Sequence, residues 1–267
     1  MNFIDAVTLG IVQGLTEFLP VSSSGHLVIT ERLLGVRAAD LTFPVAVHVG
    51  TLIAVIVYFR SRIWTIMRSC AQDPKGSALA NGHDSTATGS RILLLITLAS
   101  VPAGIAGILF KDQIELAFAS PRMTAVCLMV TGVWLLLTLA VKARAQALGW
   151  SRAWWIGVAQ AVAIIPGISR SGSTIASGMM LGVRPAEAAE FSFLLSIPAV
   201  LGATLLAIPK ALAAGQIGMI HIVGLVVSAV TGYLSLRLVF TVVRHGRFAW
   251  FGLYCLAAGG AAAIWLI

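Results

Sequence analysis

Two stretches of this sequence, residues 123–141 and 250–267, contain no charged side chain at all. Each is about long enough to cross the hydrocarbon core of a bilayer as an α-helix, which takes roughly 20 apolar residues. Only 10% of the chain is charged and 58% is apolar, whereas a soluble domain is about 25% charged. The chain is therefore predicted to be an integral membrane protein, which excludes a soluble enzyme, a fibre and a disordered chain.

The net charge of +8 does not indicate a nucleic-acid partner. Basic residues occur in short clusters between apolar runs, where they act as topology signals rather than as one basic face. The three cysteines, Cys70, Cys127 and Cys255, are far apart and lack metal-ligand spacing, so neither a disulfide framework nor a zinc site is expected. No Lys or Arg precedes Arg32 and no small-residue cleavage pattern follows, so the N-terminus is not predicted to be a removable signal.

About six apolar runs are predicted to be full membrane crossings. Together with two broken regions described below, they define an all-α polytopic membrane protein with a single integral membrane domain over residues 1–267. The six runs are residues 43–59, 92–110, 123–141, 191–208, 220–243 and 248–267.

The distribution of basic residues assigns a side of the membrane to each connection. Connections 60–91, 142–152 and 244–247 are rich in Lys and Arg, so the positive-inside rule places them in the cytoplasm. The connection 111–122, where acidic residues offset the basic ones, and the loop with Lys210 are predicted to face outward. The polar segment 73–90 is predicted to be a mobile cytoplasmic loop.

Residues 4–36 and 154–183 do not read as simple crossings. Each contains two short apolar stretches separated by a Pro/Gly/Ser patch, LPVSSSGHL at 19–27 and IPGISRSGST at 165–174. Pro and Gly interrupt a helix, and Ser favours turns and helix N-caps. Since broken backbone at membrane depth must be satisfied by protein or by a watery cavity, both regions are predicted to be re-entrant helical hairpins with the patch at the tip.

The two hairpins are related by an internal repeat. A shift of 147 positions superposes Gln13 on Gln160, Ser22 on Ser169 and the tetrad LGVR at 34–37 on LGVR at 181–184. Three predicted crossings lie between the copies, so the second copy enters from the opposite side and the repeat is inverted. We expect repeat 1 at about 1–141 and repeat 2 at about 150–267, joined by the cytoplasmic loop 142–152, with the two tips meeting near the midplane.

The simplest alternative is that these small residues only let helices approach closely. Glu17 and Arg170 argue against it, because an ionisable side chain among apolar residues in a membrane is costly unless it is paired or wetted. A purely structural Glu17–Arg170 pair remains an alternative. His48 lies inside a crossing, where it either lines the cavity or packs against another helix.

The first tip carries groups suited to proton transfer and anion binding. Gln13 and Glu17 are four residues apart, so on a helix they share one face, and Glu17 can accept a proton or bind a hard cation. The run SSSGH at 22–26 is expected to start a helix, whose free N–H groups bind phosphate. His26 titrates near neutral pH and is either an acid-base group or a helix contact.

The second tip adds a fixed cation. Arg170 lies in SRSGST at 169–174, which is also expected to open a helix, and a guanidinium can hold two phosphate oxygens at once. Together the tips supply a carboxylate, an imidazole, hydroxyls and a cation. These suffice for phosphoryl transfer if a metal or Arg170 stabilises the developing charge.

The motifs VQGLTEFLPVSSSGHL at 12–27 and PGISRSGST at 166–174 closely resemble those of the bacterial undecaprenyl-diphosphatase family, membrane phosphatases associated with bacitracin resistance. The resemblance implies hydrolysis of undecaprenyl diphosphate to undecaprenyl phosphate and inorganic phosphate, which recycles the lipid carrier for cell-wall synthesis. It also implies a bacterial plasma (inner) membrane protein, a pocket open toward the periplasm or cell exterior, and dependence on a divalent cation, Mg²⁺ or Ca²⁺.

The resemblance and the chemistry of the two tips together give a set of expected site residues. The expected catalytic residues are Glu17, Ser22, Ser23, His26 and Arg170, with Glu17 also as the metal ligand. The expected substrate-binding residues are Gln13, Ser24, Gly25, Ser169, Ser171, Gly172, Ser173 and Thr174.

In the expected roles, Arg170 and the helix N-terminus bind the diphosphate, Glu17 holds the metal or steers a proton, and Ser23 or water attacks with help from His26. Gln13 occupies a position that is acidic in the family, which leaves one carboxylate instead of a pair. The substrate phosphates are then expected to complete the metal's ligands.

Other functions fit the same architecture. Inverted repeats with broken helices also describe secondary transporters, so a carrier or flippase for a polyprenyl phosphate or another anion is the main alternative. An anion channel is less favoured, because a single arginine marks the tips. The sequence is compatible with a homodimer and leaves open whether serine, histidine or water is the nucleophile, which metal serves and what lipid length is preferred.

Overall fold

A computed structural model of the chain describes residues 1–36, 42–72, 89–118, 120–141, 145–213 and 218–265, and within these ranges it contains helices and no strand. The helices are α1 Phe3–Phe18, α2 Ser23–Leu33, α3 Thr42–Tyr58, α4 Arg60–Gln72, α5 Gly89–Leu109, α6 Lys111–Phe118, α7 Pro121–Leu137, α8 Trp150–Val162, α9 Arg170–Met180, α10 Pro185–Ala213, α11 Met219–Arg244 and α12 Trp250–Trp265.

The apolar helices confirm a multi-pass all-α membrane protein. Each of the six predicted crossings lies on one helix: α3, α5, α7, α10, α11 and α12. Four helices in the described ranges are individually long and apolar enough to span a bilayer, or up to five if α3 and the bent continuation α4 count as one span. The last, α12, is apolar but only 16 residues long.

Several segments predicted as loops are helical. The outward connection 111–122 forms α6 and the start of α7, Lys210 lies within α10, and Ser151 and Arg152 lie in the first turn of α8. Residues 60–72 form α4, which meets α3 at 70°. The charged residues were interpreted as loop signals, and this fails because charged residues are also common within helices and at their ends. Most of the predicted mobile loop, residues 73–88, lies outside the described residues.

The two predicted hairpins are broken helices. The first, α1 and α2, is interrupted at residues 19–22, and the second, α8 and α9, at residues 163–169. A serine caps the helix after each break: the Ser22 hydroxyl accepts from the Gly25 N–H at 3.4 Å, and the Ser169 hydroxyl accepts from the Gly172 N–H at 3.0 Å. These caps satisfy N–H groups that otherwise lack a partner at a helix start.

The two halves make equivalent helix contacts. In the first hairpin α1 packs against α11, and in the second α8 packs against α5. Equivalent glycines lie at these contacts: a Cβ on Gly10 would stand 3.0 Å from the Gly224 carbonyl oxygen, and one on Gly157 would stand 2.3 Å from the Ala99 carbonyl oxygen. The first hairpin thus packs on a helix of the second half and the second hairpin on the equivalent helix of the first half, as expected for a repeat. The inversion of the repeat across the membrane stays a prediction.

Aromatic packing anchors the end of α1. Phe18 is 1% exposed and lies edge-on to Phe193 of α10, with ring centroids 5.7 Å apart. Phe193 in turn contacts Phe59 and Phe240. Because Phe18 directly follows Glu17, this cluster fixes the helix turn that carries the carboxylate.

Candidate active site at the hairpin tips

A carboxylate and a guanidinium meet where the two hairpins touch. Glu17 lies in the last turn of α1 and Arg170 is the first residue of α9. Arg170 Nη2 donates to Glu17 Oε1 at 2.5 Å, and the side chains are 16% and 8% exposed, respectively. The structure therefore brings these two predicted residues together, although they are 153 positions apart.

The second oxygen of Glu17 is also held. Its Oε2 accepts from the Ser23 hydroxyl at 2.5 Å and from Gln13 Nε2 at 3.0 Å. Three donors from three elements thus stabilise the ionised carboxylate at this depth. Ser23 is the first residue of α2, so its hydroxyl lies beside the free N–H groups of that helix.

Two polar atoms next to this carboxylate have no hydrogen-bond partner among the residues that the structure describes. They are Gln13 Oε1, an acceptor, and Arg170 Nη1, a donor, and both are buried. The amide orientation of Gln13 follows from its neighbour, because only Nε2 can donate to a carboxylate. A buried polar group without a partner is costly, so Arg170 Nη1 indicates a place for an acceptor and Gln13 Oε1 a place for a donor or a cation.

The hairpins hold each other through equivalent serines. Ser24 Oγ accepts from the Gly167 N–H at 3.4 Å, and Ser171 Oγ donates to the Leu19 carbonyl at 3.2 Å. Each serine therefore satisfies the broken backbone of the opposite tip. We call this pair of contacts the serine clasp.

Thr131 of α7 organises the second tip, and sequence reasoning missed it. Its hydroxyl donates to the Gly167 carbonyl at 3.1 Å and accepts from the Ser169 N–H at 3.0 Å. Gly167 has φ +92°, and a Cβ there would stand 2.2 Å from the Thr124 carbonyl oxygen. Only glycine fits this turn. A threonine inside an apolar crossing carries no local signal of such a role.

The other residues predicted to bind substrate are placed mainly by protein contacts. The Thr174 hydroxyl donates to the Arg170 carbonyl at 2.8 Å and contacts the Ser192 hydroxyl at 2.5 Å. Ser169 contacts Ser171 at 3.3 Å, while Ser173 lines the apolar cavity described below. Gly25 and Gly172 offer only backbone, at the N-terminal turns of α2 and α9.

His26 is held by two partners, neither of which is Ser23. Its Nδ1 lies 2.9 Å from the Ser22 carbonyl oxygen, and its Nε2 lies 2.8 Å from the Tyr254 hydroxyl. Tyr254 belongs to α12 and was not singled out by its sequence context. The expected assistance of Ser23 by His26 thus has no direct contact here, whereas Ser23 contacts Glu17.

His48 also bears on the site. The Glu17 carboxylate interacts electrostatically with Arg170 and, more weakly, with His48. His48 Nδ1 contacts the carbonyl of Pro44, one turn earlier in α3, at 2.7 Å. The His48 ring is thus held to its own helix by a backbone carbonyl.

The residues at the tips fit a hard divalent cation only in part. The described residues contain no group of three or more His, Cys, Asp or Glu side chains that could hold a metal. Glu17 and the unpartnered Gln13 Oε1 supply oxygen donors, the type that Mg²⁺ and Ca²⁺ prefer. Such a cation would need phosphate oxygens or water for its remaining ligands.

An apolar cavity of about 370 Å³ adjoins the second tip, between α7, α8 and α9. Near the tip it is lined by Thr131, Ile168 and Ser173, and farther away by apolar side chains such as Trp134, Trp155 and Val158. Neither Glu17 nor Arg170 lines it. The cavity suits a hydrocarbon chain rather than a charged group.

Comparison with known proteins identifies related sequences along nearly the whole chain. The family described as "Bacitracin resistance protein BacA" matches residues 6–261. A protein named undecaprenyl-diphosphatase from Desulfatibacillum aliphaticivorans is 40% identical over 99% of both chains. Proteins of the same name are 42% identical in Desulfosudis oleivorans, over 100% of this chain and 99% of that one, and 39% identical in Rubrobacter xylanophilus, with the same coverage. These findings give no support to the transporter alternative.

Proposed function

The chain belongs to the bacitracin resistance protein BacA family, and on that premise we propose that it hydrolyses undecaprenyl diphosphate to undecaprenyl phosphate and inorganic phosphate. The name of its relatives supports this reaction. We further propose that it works in the bacterial inner membrane, with the site open toward the periplasm or cell exterior, and that it recycles the lipid carrier used in cell-wall synthesis.

The observation that carries this proposal is the free donor of Arg170. Its Nη2 is used by Glu17, while the buried Nη1 has no partner in the described part of the chain. A phosphate oxygen is the natural partner for such a donor. The N–H groups at the start of α9 lie beside it and add a second anion-binding feature. Arg170 would then bind the diphosphate and stabilise the charge that develops during transfer.

Ser23 is the nucleophile that we propose for the first step. Its hydroxyl already donates to Glu17 at 2.5 Å, so the proton can pass to the carboxylate as the serine oxygen bonds to the terminal phosphorus. The bond from that phosphorus to the bridging oxygen breaks, and undecaprenyl phosphate leaves with the electron pair. The leaving group is a stable anion and needs no proton.

Water completes the reaction in the second step. His26 is three residues after Ser23 on α2, so both side chains lie on the same face. The imidazole can accept a proton from a water that attacks the phosphoserine. The serine–phosphorus bond breaks, the serine oxygen recovers its proton from Glu17, and inorganic phosphate is released. The imidazolium then gives the water proton to the departing phosphate or to solvent, which restores neutral His26.

We propose a divalent cation as cofactor, Mg²⁺ or Ca²⁺, held by Glu17 and Gln13 Oε1 together with substrate oxygens. When bound, it would supply positive charge to the phosphate oxygens. Gln13 contributes a neutral carbonyl where the family pattern has a carboxylate. The protein's share of the cation's ligands is therefore small, and the substrate must supply much of the rest.

The apolar cavity beside the second tip supports a lipid substrate. The cavity begins at Thr131, whose hydroxyl also holds the tip backbone, and continues between apolar side chains. A diphosphate bound at the tips would therefore have space for part of its hydrocarbon chain within reach. This arrangement explains why a site for a charged group lies within a largely apolar protein.

The decisive experiment measures phosphate release by the purified protein in detergent, with undecaprenyl diphosphate as substrate and with and without a chelator. We expect release with Mg²⁺ or Ca²⁺ and none after chelation. Arg170→Lys should lower kcat/KM by about 10²-fold, since it keeps the charge beside Glu17 but loses the planar array of donors. Arg184→Lys is the matched control, because Arg184 pairs with Glu187 on the surface.

Absence of phosphate release with every divalent cation, together with movement of the lipid across liposome membranes, would contradict the phosphatase assignment. Equal activity of Arg170→Lys and Arg184→Lys would contradict the role of Arg170. Undiminished release after chelation would remove the cation from the proposal and leave the hydrolysis itself in place.

A further inference from the structure

We propose that Tyr254 is a positioning residue for His26, and that its phenol holds the imidazole with Nε2 as the proton-accepting atom. The proposal rests on the hydrolysis described above, in which His26 accepts a proton from water. It concerns a side chain that neither of the two sequence motifs contains. Tyr254 lies on α12, 228 positions after His26.

The other ring nitrogen defines the protonation pattern of His26. Its Nδ1 lies 2.9 Å from the Ser22 carbonyl oxygen, and a carbonyl can only accept a hydrogen bond. Nδ1 therefore carries a proton. In the neutral imidazole Nε2 then has the lone pair. The same Ser22 carbonyl also accepts from the backbone N–H of His26 at 3.2 Å, which holds ring and backbone together.

Tyr254 hydrogen-bonds to the other ring nitrogen of His26, Nε2. Its hydroxyl lies 2.8 Å from Nε2, and the two ring planes are within 11° of each other with centroids 5.6 Å apart. With Nδ1 protonated, the phenol O–H donates to the lone pair of Nε2. The ring is thus held at both ends and cannot turn without breaking two hydrogen bonds.

The position of Tyr254 is set by the packing of α12. Close glycine contacts hold α12 against α7: a Cβ on Gly252 would stand 2.7 Å from the Gly132 carbonyl oxygen. The residue after Tyr254, Cys255, is buried and donates to the Pro20 carbonyl at 3.5 Å. Two successive residues of α12 therefore contact the first hairpin, one at its tip backbone and one at its imidazole.

The repeat shows that this contact is specific to one half. The position equivalent to His26 is Ser173, and the one equivalent to Ser23 is Arg170, by the shift of 147 residues. The two tips thus share a backbone plan but carry different chemistry. Only the first tip has an imidazole to orient, and among the described residues the tyrosine is its one side-chain partner.

The phenol oxygen of Tyr254 occupies the position from which a water would donate its proton to His26 Nε2. A water that attacks the phosphoserine must reach Nε2, and Tyr254 is the group that now donates to that atom. Because Nε2 has a single lone pair, the phenol O–H must release it before the water can donate there. The phenol can then hydrogen-bond to that water while the Nδ1 contact with Ser22 keeps the ring oriented. Loss of the hydroxyl therefore affects the proton-transfer step more than substrate binding.

Tyr254→Phe tests the proposal, with Tyr233→Phe as the matched control. Tyr233 contacts Arg237 on α11 and lies outside the tips. We expect Tyr254→Phe to lower kcat by about 10- to 100-fold with KM changed less than about twofold, because orientation of a general base is lost while phosphate binding is kept. Tyr233→Phe should match the wild type in both constants.

A second measurement does not depend on activity. In protein labelled with ¹⁵N-histidine, the His26 signals are assigned by their loss in His26→Asn, and the Nε2 resonance should move in Tyr254→Phe but not in Tyr233→Phe. An unchanged kcat, a loss confined to KM, or an unmoved Nε2 resonance would overturn the positioning role. Failure of the wild type to release phosphate would instead contradict the proposed function. The Nε2 resonance would then still test whether Tyr254 hydrogen-bonds to His26.

Discussion

At the scale of single residues, the site depends on how one carboxylate is shared. Glu17 accepts from Arg170, Ser23 and Gln13 at once. A buried ion pair contributes little net stability by itself, but removal of one partner is costly, about 3–5 kcal/mol. Conservative replacements are therefore the informative ones at this site, because they keep the pair while they change the chemistry.

Ser23→Ala separates the two candidate nucleophiles. If the serine oxygen attacks, the variant should lose at least about 10³-fold in kcat, because no phosphoserine can form. Phosphate release from undecaprenyl diphosphate is the measurement, and Ser61→Ala is the control, since Ser61 lies on α4 away from the tips. Release within about tenfold of the wild type would show that water attacks directly.

The Glu17–Arg170 pair was predictable because a charged side chain within a membrane is stable only when it is paired or hydrated. Glu17 and Arg170 each lie in a broken tip, and the repeat relates the tips. Tyr254 and Thr131 were not predictable in the same way. Both lie within apolar crossings, and only the packing of α7 and α12 brings them to the tips.

At the scale of elements, the breaks between helices matter more than the helices. The hairpins were predictable because Pro, Gly and Ser interrupt apolar runs at matched positions. The helices α4 and α6 were not predictable in this way. Their charged residues give the same sequence signal as a loop, although the segments are amphipathic enough to form helices. These errors fall in the connecting segments, while at the site His26 contacts Ser22 and Tyr254 instead of the expected Ser23.

Gly167→Ala should damage the second tip. Both Gly167 and Gly246 have positive φ, which costs a non-glycine residue about 1–2 kcal/mol. Only at Gly167 would the new Cβ also meet backbone, the Thr124 carbonyl oxygen at 2.2 Å, whereas nothing lies within 4 Å at Gly246. We expect Gly167→Ala to lower the melting temperature and the phosphate release much more than Gly246→Ala.

Equal effects of the two alanine substitutions would contradict this account. In that case backbone strain alone would explain the loss, and the close approach of α7 to the second tip would not matter in solution. Thermal unfolding in one detergent, with both variants at the same concentration, gives the comparison directly.

At the scale of the whole molecule, the inverted repeat predicts that equivalent positions of the two halves lie on opposite sides of the membrane. Ile4 of α1 and Ser151 of α8 occupy equivalent positions, and both are exposed. After Cys70, Cys127 and Cys255 are replaced by Ser, a single cysteine is introduced at either site. We expect a membrane-impermeant maleimide to label Ile4→Cys in intact cells and Ser151→Cys only after permeabilisation.

Labelling of both cysteines from the same side would exclude inversion. The two tips would then have to approach each other from one surface, and the charge distribution of the connecting segments would have misassigned at least one of them. The paired design controls for reactivity, because both cysteines would lie in the first turn of equivalent helices.

The serine clasp has a consequence for how the protein is made. Since Ser24 and Ser171 each complete the interrupted backbone of the opposite tip, the first hairpin has no finished partner while it emerges from the ribosome. Until the second is translated, the Leu19 carbonyl lacks its Ser171 donor. Neither half alone should acquire activity, and two fragments separated within residues 142–144 should regain it only when they are synthesised together.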